Sequence, residues 1–202
     1  MNIPNLENNR VKLSLLDLSN YTHLESIAQQ KDLVYYSPSD ISTPETLKAY
    51  VQTAVDGYYH KTTIPFIVFD KTSQTYAGST RFGLISRKDK VLHIGWTWIG
   101  YEFQGTGLNT NMKFLMLQYA FEMLEFEKVE FRIDDRNQKS RKAVEKLGAT
   151  LEGVLRSDKL MKDGYRRNTC CYGILKNEWP EIKEKLLAVV NQNNQPNCDY
   201  EE

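Results

Sequence analysis

Residues 98–111 form the sequence Trp98-Ile-Gly-Tyr-Glu-Phe-Gln-Gly-Thr-Gly-Leu-Asn-Thr-Asn111, and this stretch decides the fold. An apolar, strand-like run ends at Tyr101, glycines follow at 105 and 107, and an amphipathic helix begins directly after them. A strand that turns sharply into a helix leaves main-chain N–H groups without partners at the helix N-terminus. Those donors and the positive end of the helix dipole form an anion site, most often for phosphate. The stretch therefore predicts a phosphate-bearing ligand held by main chain.

The patterns on both sides of this turn predict a mixed α/β chain. Apolar residues recur at helical spacing from Leu108 to Leu124, whereas 91–101 and 128–134 follow strand patterns. Because these two strands flank one helix, they should be parallel neighbours joined by a right-handed crossover. Further strands are predicted over 10–16, 64–69, 76–85, 149–161 and 165–175, and further helices after Ser19, after Thr43-Pro44, over 141–147 and from 177 to 190. Gly95 is a candidate β-bulge.

The composition indicates one globular domain in a reducing compartment. Lys+Arg and Asp+Glu are balanced at 26 each, which argues against a protein that coats nucleic acid. The three cysteines lack metal-site spacing, and no apolar run reaches the ~18 residues that cross a membrane. The N-terminus lacks a signal-peptide pattern, so the expected location is cytoplasmic, with no metal, nucleic acid or membrane partner. Residues 1–190 are predicted to form the domain, and 191–202 a disordered tail.

The two glycines alone leave several interpretations open. A tight turn without any ligand is one of them. A Walker-type phosphate loop is excluded, because no Gly-Lys-Ser/Thr sequence follows. A Rossmann dinucleotide site is weakened, because Thr110 stands where the third glycine is needed. It is not eliminated, since Asp134 ends the next strand where a ribose-binding acid would lie.

Several separated motifs resemble one known family. Gln104-Gly-Thr-Gly-Leu-Asn109 resembles the Gln/Arg-x-x-Gly-x-Gly/Ala acyl-CoA loop of the GNAT N-acetyltransferases, with Asn109 where glycine or alanine is usual. The resemblance continues at 134–143, 147–149, 151–156, 163–166 and 178–180, and covers roughly residues 8 to 187. These motifs are most similar to the branch related to the RimJ and RimL ribosomal-protein acetyltransferases. The resemblance implies the GNAT fold, a mostly antiparallel sheet with a central splayed pair of parallel strands flanked by helices.

The resemblance also implies acetyl-CoA as the cosubstrate, without a metal. The loop and the strand before it would bind the pyrophosphate and the pantetheine arm through Ile99, Tyr101, Gln104, Gly105, Thr106, Gly107, Leu108 and Asn109. Asn137 would pair with an amide of the same arm, and Ser140 would contact CoA and protonate the departing thiolate. A turn or cap role for Asn137 and an N-cap role for Ser140 remain alternatives.

The implied reaction is direct attack of a neutral amine on the thioester. An α-amino group has a pKa of roughly 7.7–8.0 and lysine about 10.4, so a site without a strong base favours N-termini. Asp158 is the leading candidate for the base, ahead of Glu102 and of His93, which we expect to be a packing histidine with satisfied hydrogen bonds.

The predicted acceptor is the N-terminal amine of a protein or peptide. A small-molecule amine, a polyamine or an antibiotic amine is the alternative, and a non-catalytic CoA- or dinucleotide-binding protein is the alternative of another class. We expect the acceptor pocket to be built from residues 30–45 and 156–168, and four aromatic residues could line it or belong to the core: Trp96, Trp98, Tyr35 and Tyr36. A homodimer is left open.

Overall fold

The computed structural model describes residues 3–193. One sheet runs through them with the strand order β1-β2-β3-β4-β5-β6-β8-β7. The strands are β1 (Leu6–Glu7), β2 (Val11–Leu15), β3 (Ile64–Asp70), β4 (Thr75–Ser86), β5 (Val91–Ile99), β6 (Lys128–Asp134), β7 (Thr150–Leu160) and β8 (Arg166–Leu175). The helices are α1 (Glu25–Ala28), α2 (Pro44–Tyr59), α3 (Leu108–Gln118), α4 (Gln138–Lys146) and α5 (Trp179–Asn193). A π-helical turn, Tyr119–Met123, extends α3. None of the helices within residues 3–193 combines the length and apolarity needed to cross a membrane.

The predicted splayed strand pair is confirmed. β5 and β6 are parallel neighbours, whereas the other paired strands are antiparallel. Their pairing ends where His93 lies opposite Glu130, although β5 continues to Ile99 and β6 to Asp134. The two strands therefore diverge toward their carboxyl ends, and the opening begins beside His93.

A bulge in β5 lies next to the predicted position. Between the Arg81–Gly95 and Ser79–Trp98 pairs, β5 has one residue more than β4. The residue in the left-handed region is Trp96, with φ +49°, and not Gly95 itself. A bulge redirects the side chain at its centre. The indole of Trp96 consequently lies near the guanidinium of Arg81 on the same face, with 5.0 Å between the ring centroid and Cζ.

Several boundaries differ from the sequence prediction, and three of them have consequences for the site or the chain end. β5 ends at Ile99 instead of Tyr101, because Tyr101–Phe103 forms a 3₁₀ turn. α4 begins at Gln138 instead of 141, because the side chain of Asn137 accepts a hydrogen bond from the N–H of Ser140 and caps the helix. α5 runs to Asn193, three residues beyond the predicted helix end at 190; residues 194–202, where the tail was predicted to continue, lie outside the described residues.

Lys113 of α3 is buried against the sheet. Its Nζ donates to Oγ1 of Thr97 (2.6 Å) and Oγ1 of Thr80 (3.2 Å). Burial lowers the pKa of this lysine from 10.5 to about 7. The folded state therefore releases this proton at a lower pH than the unfolded chain, so stability should rise with pH between about 7 and 10.5.

Lys113→Met is expected to raise the free energy of unfolding at pH 7 by about 1–4 kcal/mol, as when other buried charges are replaced by apolar side chains. Thr80 and Thr97 stay paired with each other, at 2.8 Å, after this change. Denaturant unfolding at about pH 6, 8 and 10 should show stability rising in the wild type and less so in the variant. Lys142→Met, on the exposed side of α4, is the control. An unchanged pH dependence in Lys113→Met would contradict the assignment.

Candidate active site

The loop between β5 and α3 carries unpaired main-chain donors. No acceptor among residues 3–193 takes the N–H groups of Gly105, Thr106, Gly107, Asn109 and Thr110. Gly105 and Gly107 have φ +81° and +82°, in the left-handed region that favours glycine. The space where a Cβ of Gly105 would lie has no atom within 4 Å. The predicted anion site at the N-terminus of α3 therefore has free donors and room for a ligand.

Side chains of the same loop bind its carbonyl groups. Thr106 Oγ1 donates to the carbonyl of Phe103 (2.8 Å), and Gln104 Nε2 donates to that of Ile99 (3.1 Å). The buried Asn111 donates through Nδ2 to the carbonyl of Gly107 (3.1 Å). These bonds hold the loop in shape through its acceptors and leave its N–H donors to bind an anion.

Two cations that sequence reasoning missed contact this loop. Arg10, directly before β2, donates from Nη2 to Oγ1 of Thr106 (3.2 Å) and lies 3.5 Å from Asp70. Lys139 in the first turn of α4 donates to Oε1 of Gln104. Both positive charges favour a phosphate at the loop. No local spacing could have shown this, since Arg10 and Thr106 lie 96 residues apart in sequence.

The strand edge predicted to pair with a ligand is partly occupied by side chains. The N–H of Tyr101 donates to Oε1 of Gln30 (2.9 Å), and the carbonyl of Ile99 accepts from Gln104. Ligand amides that pair at these two groups must displace an amide side chain. Between His93 and Ile99 the β5 edge has no strand partner in β6, although the carbonyl of Trp96 accepts a hydrogen bond from the hydroxyl of Tyr50 (3.2 Å).

Asn137 and Ser140 lie in and before the first turn of α4, beside the loop. Oδ1 of Asn137 accepts a hydrogen bond from the N–H of Ser140 (3.0 Å), so this oxygen has the cap role that was one of the two alternatives. Nδ2 of Asn137 has no partner among residues 3–193. Ser140 is half-buried, is not the N-cap, and its Oγ likewise has no partner in that part of the chain. Lys139, between them, reaches Gln104, so this turn adjoins the loop. Both side chains retain a free polar group for a ligand.

Asp158 lies at a bulge in β7, the exposed edge strand of the sheet. The preceding residue, Ser157, takes φ +54°, and its N–H donates to Oδ1 of Asn168 (2.9 Å). Asp158 Oδ2 accepts a hydrogen bond from Oγ1 of the buried Thr169 (2.7 Å). Thr169 pairs with Asp134 at the carboxyl end of β6. The carboxylate of Asp158 therefore lies one strand away from the carboxyl end of β6, on the side of β6 opposite to β5.

Asp158 and His93 lie on the same face of the sheet. Glu130 and Asp134 share a face of β6, because side chains alternate along a strand. Their partners on the neighbouring strands, His93 and Thr169, lie on that face too. Thr169 in turn binds the carboxylate of Asp158. The face that holds the start of the opening thus also holds a carboxylate.

His93 is buried, as predicted, but its hydrogen bonds are not satisfied, so that part of the prediction is wrong. It is 6% exposed, and Nδ1 has no partner among the described residues. Burial, and then the charge of Arg132, lowers the pKa of His93 from 6.5 to about 3. The imidazole is therefore neutral and a weak proton acceptor at neutral pH. Glu102 is exposed on the 3₁₀ turn after β5, where it accepts a hydrogen bond from Gln30 (2.9 Å).

The geometry of loop and strands agrees with the comparison with known families. A family model described as "Acetyltransferase (GNAT) domain" matches residues 10–150. The chain belongs to the GNAT acetyltransferase family. The sequence resemblance rested on the glycine loop and the motifs after it, and it implied the diverging strands that this GNAT protein has. Within residues 3–193, no three His, Cys, Asp or Glu side chains are grouped to hold a metal ion.

Relatives of this GNAT protein include acetyltransferases with ribosomal names. It is 35% identical over 95 residues to the Bacillus subtilis (strain 168) protein provisionally named ribosomal N-acetyltransferase YdaF, covering 47% of this chain and 51% of that protein. The chain thus matches about half the length of this curated relative. A solved structure from T. thermophilus, provisionally described as an acetyltransferase, matches with TM-score 0.81 at 28% identity over 94% of this chain and 98% of that chain. Mycobacterium smegmatis RimJ in complex with CoA-disulfide shares the fold, with TM-score 0.77 at 20% identity over 89% and 88% of the two chains.

Proposed function

We propose that this GNAT protein transfers an acetyl group from acetyl-CoA to the N-terminal amine of a protein or peptide. The observation that carries the proposal is the loop of five free N–H donors at the carboxyl end of β5, directly beside the opening between β5 and β6. Phosphate groups suit the donors, and a peptide-like arm suits the unpaired strand edge. YdaF, named for ribosomal N-acetyltransfer, and RimJ, solved with CoA-disulfide, support this acceptor and cosubstrate.

Acetyl-CoA supplies a thioester that a neutral amine can attack. The loop main chain, with Arg10 and Lys139, would bind the phosphates. The free Nδ2 of Asn137 would donate to a carbonyl of the arm, and Oγ of Ser140 would donate a proton to the departing sulfur. The proposal therefore gives each free polar group around the loop a partner.

The acceptor class follows from the proton that must leave the amine. His93 cannot remove it efficiently, because its pKa lies at about 3. Asp158, which Thr169 holds on the face of the sheet that also carries His93, is the group we propose to take it, directly or through water. A carboxylate is a weak base, so an α-amine with a pKa of roughly 7.7–8.0 suits this site better than lysine at about 10.4.

Lys139→Met is expected to raise the Kd for acetyl-CoA about 2- to 5-fold, because one exposed charge contributes roughly 0.5–1 kcal/mol. Titration calorimetry at low and high salt measures this, and the difference should shrink at high salt. Lys142→Met lies on the exposed side of the same helix and serves as the matched control. Equal Kd values in Lys139→Met and Lys142→Met would show that Lys139 does not contribute to phosphate binding.

Asn137→Ala and Ser140→Ala should have different kinetic effects. Asn137→Ala is expected to raise the KM for acetyl-CoA about tenfold, by removing a ground-state contact and the cap of α4. Ser140→Ala is expected to lower kcat about 10- to 100-fold, because the hydroxyl of Ser140 would donate its proton only in the transition state, as the sulfur departs. Steady-state kinetics with acetyl-CoA varied distinguishes them. Wild-type kinetics with a lowered Tm in both variants would show that Asn137 and Ser140 have only structural roles.

The proposed function is tested by thiol release from acetyl-CoA with a panel of amines. We expect a peptide with a free N-terminus to be acetylated faster than the same peptide with a blocked N-terminus and an internal lysine, and faster than a polyamine. Binding of NADH is measured alongside that of acetyl-CoA. Tight NADH binding without acetyl-CoA binding would support a dinucleotide site instead, and acetyl-CoA binding without thiol release would support a silent binding protein.

A further inference from the structure

Arg81 of β4 is a buried cation that forms no ion pair with any carboxylate among residues 3–193, although Asp40 lines the same pocket. The residue is 3% exposed, and its Nε and Nη2 have no hydrogen-bond partner among residues 3–193. Cζ lies 4.5 Å from the centroid of the Tyr50 ring and 5.0 Å from that of Trp96. Aromatic faces attract a cation, but a buried charge needs a paired anion and hydrogen bonds to offset its lost hydration. The charge of Arg81 is therefore only partly compensated within the described chain.

A pocket of about 320 Å³ adjoins this guanidinium. Arg81, Tyr50 and Trp96 line it from β4, α2 and β5. The remaining polar lining comes from α2 and from the segment before it: Ser39, Asp40, Thr46 and Thr53. The pocket thus combines a cation, two aromatic rings and several hydroxyl groups, which is a lining suited to a small polar group with a negative charge.

The pocket lies beside the opening between β5 and β6. The ring of His93, at the start of the opening, packs edge-on against the ring of Trp96 with 5.5 Å between centroids. Trp96 in turn contacts Arg81. One indole ring therefore separates the guanidinium from the place where the strands diverge. A ligand group at Arg81 would lie a few bonds from an amine at the opening.

We propose that Arg81 binds a carboxylate of the acceptor, so that the enzyme selects amines with an acidic group near the reacting nitrogen. This inference rests on the proposed function and names its substrate class. An arginine fork pairs with two carboxylate oxygens, which satisfies donors that no described protein group satisfies here. A lysine or arginine side chain of the acceptor would be repelled by the same charge.

The charge of Asp40 favours a carboxylate over a phosphate as the ligand group in this pocket. Its carboxylate accepts hydrogen bonds from the N–H and hydroxyl of Ser42 and lies 3.1 Å from Nζ of Lys162. The bond from the Ser42 N–H contributes most to lowering the pKa of Asp40, to about 2, so it stays charged. A negative charge in the same pocket disfavours a dianion more than a monoanion. We therefore assign the pocket to a carboxylate.

The carboxylate has two sources, and matched probes separate them. Ala-Glu-Ala-Ala-Ala-amide and Ala-Gln-Ala-Ala-Ala-amide differ only in a side-chain carboxylate. Free alanine and alaninamide differ in an α-carboxylate, which also raises the pKa of the neighbouring amine, so their kcat/KM values are compared per neutral amine. Binding of each probe is measured by calorimetry with CoA present, and acetylation is measured as kcat/KM. We expect the wild type to favour the carboxylate by about tenfold or more in one of the pairs.

Variants at Arg81 then assign the preference to this side chain. Arg81→Gln should bring the ratio near one, and Arg81→Lys should give an intermediate ratio, with the Kd for acetyl-CoA unchanged in both. No preference in the wild type, no binding of any probe, or a preference retained in Arg81→Gln would each overturn the inference. If the variants do not fold, the wild-type comparison decides alone. Failure of the proposed function itself is recognised separately, as a wild type that does not bind acetyl-CoA.

Discussion

Asp158→Asn is expected to lower kcat/KM for a peptide acceptor by ~10²–10⁴, the usual contribution of a general base. The amide keeps the shape of the side chain and can still accept the hydrogen bond from Thr169, but it cannot remove a proton. Raising the pH should recover part of the lost rate, because more of the amine is then already neutral. A pH–rate profile of the wild type and the variant, from about pH 6 to 9, measures both effects.

Glu152→Gln provides the matched control for this change. Glu152 lies on the same edge strand, β7, where its carboxylate pairs with Lys128 at 2.8 Å, and the substitution likewise replaces a carboxylate by an amide of the same shape. Its kcat/KM should stay within about twofold, as expected for a surface ion pair. If Asp158→Asn behaves like Glu152→Gln and the wild-type rate follows the ionisation of the amine, the proton leaves to solvent and Asp158 is not the base.

Gly107→Val is expected to raise the Kd for acetyl-CoA by about 100-fold or more. Gly107 has φ +82°, which costs a residue with a Cβ roughly 1–2 kcal/mol, and valine is β-branched. Relief of that strain would turn the N–H groups of the loop away from the phosphate site, and the new side chain would stand at the N-terminus of α3. Titration calorimetry gives the Kd, and thermal unfolding reports the strain separately.

Gly164→Val controls for the strain alone. Gly164 has φ +78° in the turn between β7 and β8, and no atom lies within 4 Å of the position of its Cβ. It should lose similar stability and keep the affinity for acetyl-CoA. If Gly107→Val keeps the wild-type affinity for acetyl-CoA, whatever its Tm, the loop does not bind the phosphates.

The sequence predicted the parts of the fold that local patterns determine. Helical spacing after the glycines and strand patterns on both sides of that helix predicted the parallel pair, which is confirmed. Thr43-Pro44 predicted the start of α2, where Thr43 caps the helix through a reciprocal pair of bonds with Thr46. The start of α4 was predicted too late, because a side-chain cap at Asn137 adds a turn that apolar periodicity does not show.

The parts of the site that come from distant contacts could not be predicted in this way. Arg10 and Lys139 were missed because only the fold brings them to the loop. Trp96 was named as a pocket or core residue, but the bulge that turns its ring toward Arg81 depends on the register of β4 against β5. The unsatisfied nitrogen of His93 follows from how completely β5 is buried, which residue type alone does not indicate.

The most direct test of the account is to locate the acetyl group by mass spectrometry. A peptide with a free N-terminus and an internal lysine is incubated with the protein and acetyl-CoA, and thiol release is counted in parallel. We expect one acetyl group on the α-amine for each thiol released, and little product from the same peptide with a blocked N-terminus. Acetylation confined to the lysine would contradict the acceptor class, and no thiol release above the uncatalysed rate with any amine, despite acetyl-CoA binding, would contradict acetyl transfer itself.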